Sequence, residues 1–211
     1  VAGYLDIIDF SNPTNPSVIS SVNINPYGGV TSVAVKNGIV AVASPNADET
    51  LNGSVVLFDT NGVFLNQVTV GALPDMITFS PDGTKVMTAN EGQPNTDYSI
   101  DPEGSVSIID ISGGIASLSQ SNVTTLLFTA YNAQEATLIA SGVRKLKSTS
   151  TLSQDFEPEY ITISADSQKA WVTLQENNAI VEINLTNNNI SDVWALGTKD
   201  INLPGNGFDV S

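Results

Sequence analysis

The chain is predicted to be all-β, and more narrowly part of a β-propeller: about three and a half four-stranded blades with one short helical insertion. Three observations carry this. First, a phrase recurs at residues 5–11 (LDIIDFS), 54–60 (SVVLFDT) and 105–112 (SVSIIDIS). A fourth copy, 179–186 (AIVEINLT), has Asn184 where the others have Asp9, Asp59 and Asp110. Second, the first two steps are about fifty residues, in the range of one four-stranded blade. Third, short β-branched runs are punctuated by turn signals such as Asn37-Gly38, Asn61-Gly62 and Pro81-Asp82-Gly83.

Taken in order, residues 4–10 and 18–24 supply only the third and fourth strands of an incomplete blade. Runs at 30–35, 39–43, 55–59 and 63–70 make the first whole blade. The second has runs at 76–80, 85–89, 105–111 and 123–128. Its first turn, Ser80-Pro81-Asp82-Gly83, suits a hairpin because Pro pre-sets one backbone angle and Gly tolerates the other. The last has runs at 160–164, 170–174, 180–185 and 190–196, with 164–168 matching 80–84 in place. Asp82 and Asp166 are expected to form turns, and Asp9, Asp59 and Asp110 to end third strands as turn or inter-strand hydrogen-bonding residues. Trp171 and Trp194 fall in strands, where core packing is the default role.

The third step is longer because residues 129–155 form an insertion. Asn132 and Glu135 have the spacing of a helix cap, Ala133, Ala136, Ile139, Ala140 and Val143 could form an apolar stripe, and Gly142 is a plausible stop. Arg144, Lys145 and Lys147 follow, as a solvated helix end or a docking patch for an acidic surface. Residues 1–211 are read as one partial propeller domain.

Composition narrows the chemistry. Seven Lys+Arg stand against 22 Asp+Glu, a net charge of −15. Such a balance repels nucleic acid and anionic membranes and favours divalent cations as partners, calcium above all, whose hard ion suits carboxylate oxygen. There is no Cys and no His, which excludes disulfides, Ser-His-Asp or Cys-His catalysis and His-ligated zinc within this segment. No apolar run reaches membrane-spanning length, so no membrane insertion is expected in this segment. No signal-peptide pattern opens the chain.

In a propeller, loops leading into first strands emerge on the same face as loops joining second to third strands. Acidic residues concentrate there: Pro74-Asp75 and Glu157-Pro158-Glu159 in the first kind, Asp48-Glu49, residues 91–104 and Glu176-Asn177-Asn178 in the second. Clustered carboxylates repel one another unless a cation offsets them. Glu91, Glu159 and Glu176 are therefore the leading metal-ligand candidates, followed by Asp97, Asp101 and Glu103, with calcium as the expected cofactor. Pro204-Gly205-Asn206-Gly207-Phe208-Asp209 is Gly-rich, but no helix pattern follows it, and it is read as a loop leading to a further blade.

Residues 27–37 (YGGVTSVAVKN), 71–92 (GALPDMITFSPDGTKVMTANEG), 97–110 (DYSIDPEGSVSIID), 157–161 (EPEYI), 170–179 (AWVTLQENNA) and 203–209 (LPGNGFD) closely resemble the choice-of-anchor I family. The resemblance runs over nearly the whole chain and keeps the order of motifs. It implies a bacterial secreted or cell-surface protein whose blades are similar to those of propeller phytases and calcium-dependent alkaline phosphatases. It also implies a longer parent protein with further blades, so that other copies or the remaining half of the parent are candidate partners. The function expected is an extracellular, calcium-stabilised scaffold or binding module. The alternative is a metal-dependent phosphoesterase, in which axial carboxylates hold cations that polarise a phosphoryl group and activate water.

Overall fold

The structure, a computed structural model, describes residues 3–207. Fourteen strands among them form antiparallel sheets in which every neighbour in the sheet is a neighbour in sequence. Strands β1 (Tyr4–Asp9) and β2 (Ser17–Asn23) pair as a two-stranded sheet. Three four-stranded sheets follow. The first holds β3 (Ser32–Lys36), β4 (Ile39–Ser44), β5 (Asn52–Asp59) and β6 (Phe64–Ala72). The second holds β7 (Pro74–Phe79), β8 (Lys85–Asn90), β9 (Ser105–Asp110) and β10 (Val123–Leu127). The third holds β11 (Ile161–Ile163), β12 (Lys169–Leu174), β13 (Ala179–Asn184) and β14 (Asn189–Ala195). The expected division into one half unit and three whole four-stranded units thus holds at the level of sheets.

The repeated phrase has a local cause. At the end of each copy the Asp or Asn accepts a hydrogen bond from the backbone two residues on: Ser11 N–H to Asp9 Oδ1 at 2.8 Å, Asn61 to Asp59 at 2.8 Å, Ser112 to Asp110 at 2.9 Å and Thr186 to Asn184 at 2.9 Å. Each is an Asx turn that reverses the chain after the third strand, or after β1 in the two-stranded sheet. Asn184 can replace Asp because only one acceptor oxygen is required. Asp82 and Asp166 make a second matched pair of turns. Each accepts a hydroxyl from the preceding Ser, both at 2.6 Å, and a backbone N–H from Thr84 or Gln168.

Packing alternates through the sheets because successive residues face opposite sides of a strand. Val40, Val42, Val56 and Phe58 of the first sheet bury against Leu5 and Val22 of the two-stranded sheet. The opposite face, with Ala41, Ala43, Val55 and Leu57, packs on Ile77, Val86 and Ile109 of the second sheet. The second sheet's other face, with Met87, Ala89, Val106 and Ile108, packs on Ile161, Ala170, Val172, Val181 and Ile183 of the third. Each whole sheet thus buries apolar side chains, and the first two do so on both faces. At roughly 25 cal/mol per Å² this burial is the main stabilising force.

The insertion is helical but differs in detail. A 3₁₀ segment spans Thr129–Gln134 and runs into α1 (Glu135–Ser141); a further turn, α2 (Leu152–Asp155), precedes β11. Asn132 does not cap α1: it lies inside the 3₁₀ segment and exchanges hydrogen bonds with Ser153. Gly142 does end the helix, with φ 109°. The expected stripe is corrected too. Leu138 and Val143 are the buried residues, while Ala133, Ala136, Ile139 and Ala140 face out, because one short helix resting on a sheet edge buries only a narrow line. Lys145 pairs with Glu135 at 2.8 Å and Lys147 lies 3.6 Å over the Tyr98 ring. Trp171 is half-buried, with its indole N–H donating to Glu182; Trp194 is exposed rather than in the core, and its indole N–H donates to Asp192.

Candidate functional site

Strand β7 begins and β8 ends at one edge of the second sheet, and β11 begins and β12 ends at the matching edge of the third. Five carboxylates sit at these strand ends: Asp75, Glu91, Glu157, Glu159 and Glu176. Asp75 occupies a register shift between Pro74 and Met76, where the bulged backbone leaves it without a cross-strand partner. Leu73, two residues before Asp75, is buried with φ 48°, a left-handed conformation that costs a non-glycine residue about 1–2 kcal/mol. The surrounding contacts hold it: its carbonyl accepts the Glu91 N–H at 3.0 Å, and the Ala72 carbonyl accepts the Gly92 N–H at 3.1 Å.

Glu91 is the centre of the group. It is only 7% exposed, and none of the side-chain hydrogen bonds among the described residues reaches its carboxylate. Burial, followed by the negative charges of Asp75, Glu159, Glu157 and Glu176, pushes its carboxyl up to about 8. Glu157 follows the same pattern at about 7, through burial and then Glu176, Asp155, Asp101 and Glu159. Glu159 is raised by burial, Glu176 and Asp75, with a hydrogen bond from Gln175 acting the other way. Asp75 is raised by burial alone. Glu176 accepts from Gln175 Nε2 at 3.3 Å through one oxygen; its other oxygen is buried and unpartnered.

The backbone around these groups is tightly set. Gly92 and Gly104 bring two ends of the long 91–104 loop together: a Cβ on Gly92 would strike the Glu103 backbone, and one on Gly104 the Phe156 carbonyl and the Pro158 ring. Glu157 donates its N–H to Asn177 Oδ1 at 3.3 Å, and Glu159 donates its N–H to the Thr173 carbonyl at 3.0 Å. Asn177 is fully buried and donates to Asp155 and to the Arg144 carbonyl, joining the insertion to the third sheet.

Of the residues picked from sequence, Glu159 and Glu176 lie near enough to Glu91 for their charges to raise its carboxyl. Asp101 lies close enough to act on Glu157, but it accepts the Ser150 hydroxyl while its carbonyl holds Gln154. Glu103 accepts from Ser153 Oγ at 2.8 Å, and Asp97 forms its own turn with Ser99. These three therefore tie the long loop to itself and to α2. Sequence reasoning named Asp75 and Glu157 among the acidic loop residues but not as ligand candidates; the signal present was a Pro beside an acidic residue at the start of an inner strand. Among the described residues, no three acidic side chains converge tightly enough to form a ready-made metal cage. An ion would have to draw them inward or be held partly through water, which the flexible coordination of calcium permits. In the Gly-rich loop, Phe208 and Asp209 lie outside the described residues.

Among the described residues, no helix is long and apolar enough to cross a membrane. Comparison with curated proteins gives no significant match. Solved structures resemble the fold at low identity. A functionally unknown protein from Desulfotomaculum acetoxidans matches with a TM-score of 0.59 and 13% identity, over 92% of this chain and 50% of that one. Hydrazine synthase of Kuenenia stuttgartiensis matches with a TM-score of 0.54 and 12% identity, over 87% of this chain and 46% of that one. The chain thus spans about half the length of these structural neighbours. The model of the choice-of-anchor I domain matches residues 2–211, and the chain belongs to that family.

Proposed function

We propose that this domain is a segment of a β-propeller at the bacterial surface or outside the cell, stabilised by calcium and acting as a scaffold or binding module. What supports the reading is that Asp75, Glu157, Glu159 and Glu176 lie near enough to Glu91 to raise its carboxyl, and that Glu91 is buried with none of the side-chain hydrogen bonds among the described residues reaching its carboxylate. A buried carboxylate with no donor and four acidic neighbours is costly unless protonated or paired with a cation. Family membership supports the surface or secreted setting, and the serial packing of four-stranded sheets supports the propeller.

Glu91, Glu159 and Glu176 are the proposed ligands, with Asp75 and Glu157 added by geometry. Asp97, Asp101 and Glu103 are proposed as outer groups that hold the loop in place. Thermal melting at about pH 8, with calcium and then with chelator, tests the reading. The midpoint should rise with calcium and fall back with chelator; an unchanged midpoint removes calcium from the account. The phosphoesterase alternative draws on the same carboxylates. Assays on mono- and diester substrates with calcium separate the two, since the scaffold reading expects no turnover.

A further inference from the structure

A polar cleft of about 340 Å³ opens where the crossover from β2 to β3 passes β5 and β6 of the first sheet. Asn25 and Tyr27 line it from the crossover, Asn52 and Ser54 from β5, and Gln67 and Thr69 from β6. Ser54 pairs with Thr69 and Val56 with Gln67, so Ser54, Thr69 and Gln67 share one face of the sheet. Ser54 is 6% exposed, and among the described residues its hydroxyl has no hydrogen-bond partner. The repeat shows why. Ser54 lies opposite Ser44, its counterpart Ser105 opposite Asn90, and its counterpart Ala179 opposite Leu174. Asn90 Nδ2 donates to Ser105 Oγ at 3.1 Å, and Ala179 has no hydroxyl to satisfy. Ser44 instead turns to Gly29, donating to its carbonyl at 2.7 Å and accepting its N–H at 3.3 Å, which leaves Ser54 without a donor or acceptor. A buried hydroxyl is costly in that state, and rotation between staggered χ1 positions can turn it to a ligand without moving the backbone.

The rest of the lining is uncommitted as well. Among the described residues, the side chains of Asn25, Asn52, Gln67 and Thr69 make no hydrogen bond; the bonds at these residues run through the main chain. Tyr27 is held in place by its neighbours, stacked on Phe64 at 5.9 Å between ring centres and edge-on to Phe58 at 6.1 Å. None of the eleven residues around the cleft is charged, in a chain of net charge −15. Anions are repelled by that field, and cations are drawn to the carboxylates elsewhere. Amides and hydroxyls both donate and accept, which matches the adjacent hydroxyls of a sugar, and a fixed aromatic ring supplies the apolar contact. The volume lies at the lower end of the range for small-ligand sites, about 300–1,000 Å³. A cleft of the same volume lies between the first and second sheets, both whole, and shares Asn52 and Thr69 with this one, so the opening follows from how successive sheets meet. We infer that the cleft around Ser54 binds neutral carbohydrate, seating one sugar unit among these amides and hydroxyls. The inference goes beyond the calcium-stabilised scaffold and uses none of its proposed ligands.

An array of immobilised glycans, neutral ones beside sialylated, uronic-acid and phosphorylated ones, tests this with the chain as it stands. Neutral glycans should be retained and acidic ones should not. Isothermal titration with the best-retained neutral oligosaccharide should show binding weakened roughly three- to tenfold by Gln67→Ala and by Asn52→Ala. Both positions are exposed, so those variants fold. Ser54→Ala should weaken binding by a similar factor while leaving the melting midpoint unchanged or higher, since Ala179 fills the equivalent position natively. A purely structural Ser54 would lower the midpoint instead. Sugar binding should persist in chelator, under conditions where circular dichroism shows the chain folded. Retention of no neutral glycan, preference for acidic glycans or for unglycosylated peptides, or loss of binding in chelator overturns the inference. So does equal affinity of the parent chain, Gln67→Ala and Asn52→Ala. None of the five carboxylates lines the cleft, and calcium is titrated separately, so failure of sugar binding and failure of the calcium reading are distinct results.

Discussion

Asn177 Nδ2 donates to both the main-chain carbonyl and the carboxylate of Asp155, at 2.8 and 3.0 Å, while Asn177 Oδ1 accepts the Glu157 N–H. Asp155 in turn accepts the backbone N–H groups of Leu146 and Lys147. One buried amide thus fixes both the helical insertion and the backbone that presents Glu157. Replacing it leaves several buried polar groups without partners, so Asn177→Ala should destabilise the fold by about 2–3 kcal/mol. Urea unfolding checks this; a change well below 1 kcal/mol would show that the knot is not structural. Asn177→Asp should be worse, because it sets a second carboxylate against Asp155.

The raised carboxyls give stability a definite pH dependence. Glu91 and Glu157 hold protons in the folded chain at about 8 and about 7, above their ordinary values near 4.5. Between those limits the folded state binds more protons than the unfolded one. Their contribution is therefore fully present below about pH 4.5 and is lost as pH rises through 7 and 8. Without calcium, the melting midpoint should fall between about pH 5 and pH 8 by several degrees, and Glu91→Gln should remove much of that fall. A midpoint that rises across this range contradicts the burial of Glu91.

Gly104 passes against the Phe156 carbonyl with no room for a methyl group. Gly104→Ala should cost about 1–3 kcal/mol through overpacking, and should weaken calcium binding by shifting the Glu91 loop. Melting and calcium titration of the variant read the two effects separately. Stability equal to the parent would show that the loop ends are not tightly apposed.

The Asx turns predict a graded response at a repeat position. Asp110→Asn should be nearly silent, because Asn184 performs the same task natively, whereas Asp110→Ala should lower the melting midpoint slightly. Equal behaviour of the two variants would mean that the hydrogen bond to Ser112 contributes nothing.

Sheet order and strand positions were legible because the Asp-ended phrase and the hairpin turns at 80–84 and 164–168 are local signals with local causes. The short helices were less so: Asn132 has the spacing of a cap, but its partner Ser153 is twenty-one residues away, and no local pattern announces that contact. Glu91, Glu159 and Glu176 could be picked because each adjoins a strand end. Asp75 and Glu157 joined them only once strand register and the Asn177 bond were known, since a bulge and a buried amide are set by tertiary packing. Asp97, Asp101 and Glu103 ranked behind Glu91, Glu159 and Glu176 in sequence because none adjoins a strand end so closely, and in the structure nearby hydroxyls engage them.

The central claim is that Glu91 and the four carboxylates around it take up a divalent cation. Isothermal titration of the chain with calcium at about pH 8, beside Glu91→Gln, tests it most directly. The account predicts saturable binding to the parent chain and at least tenfold weaker binding to the variant. No binding at millimolar calcium, or equal binding to both chains, would contradict it.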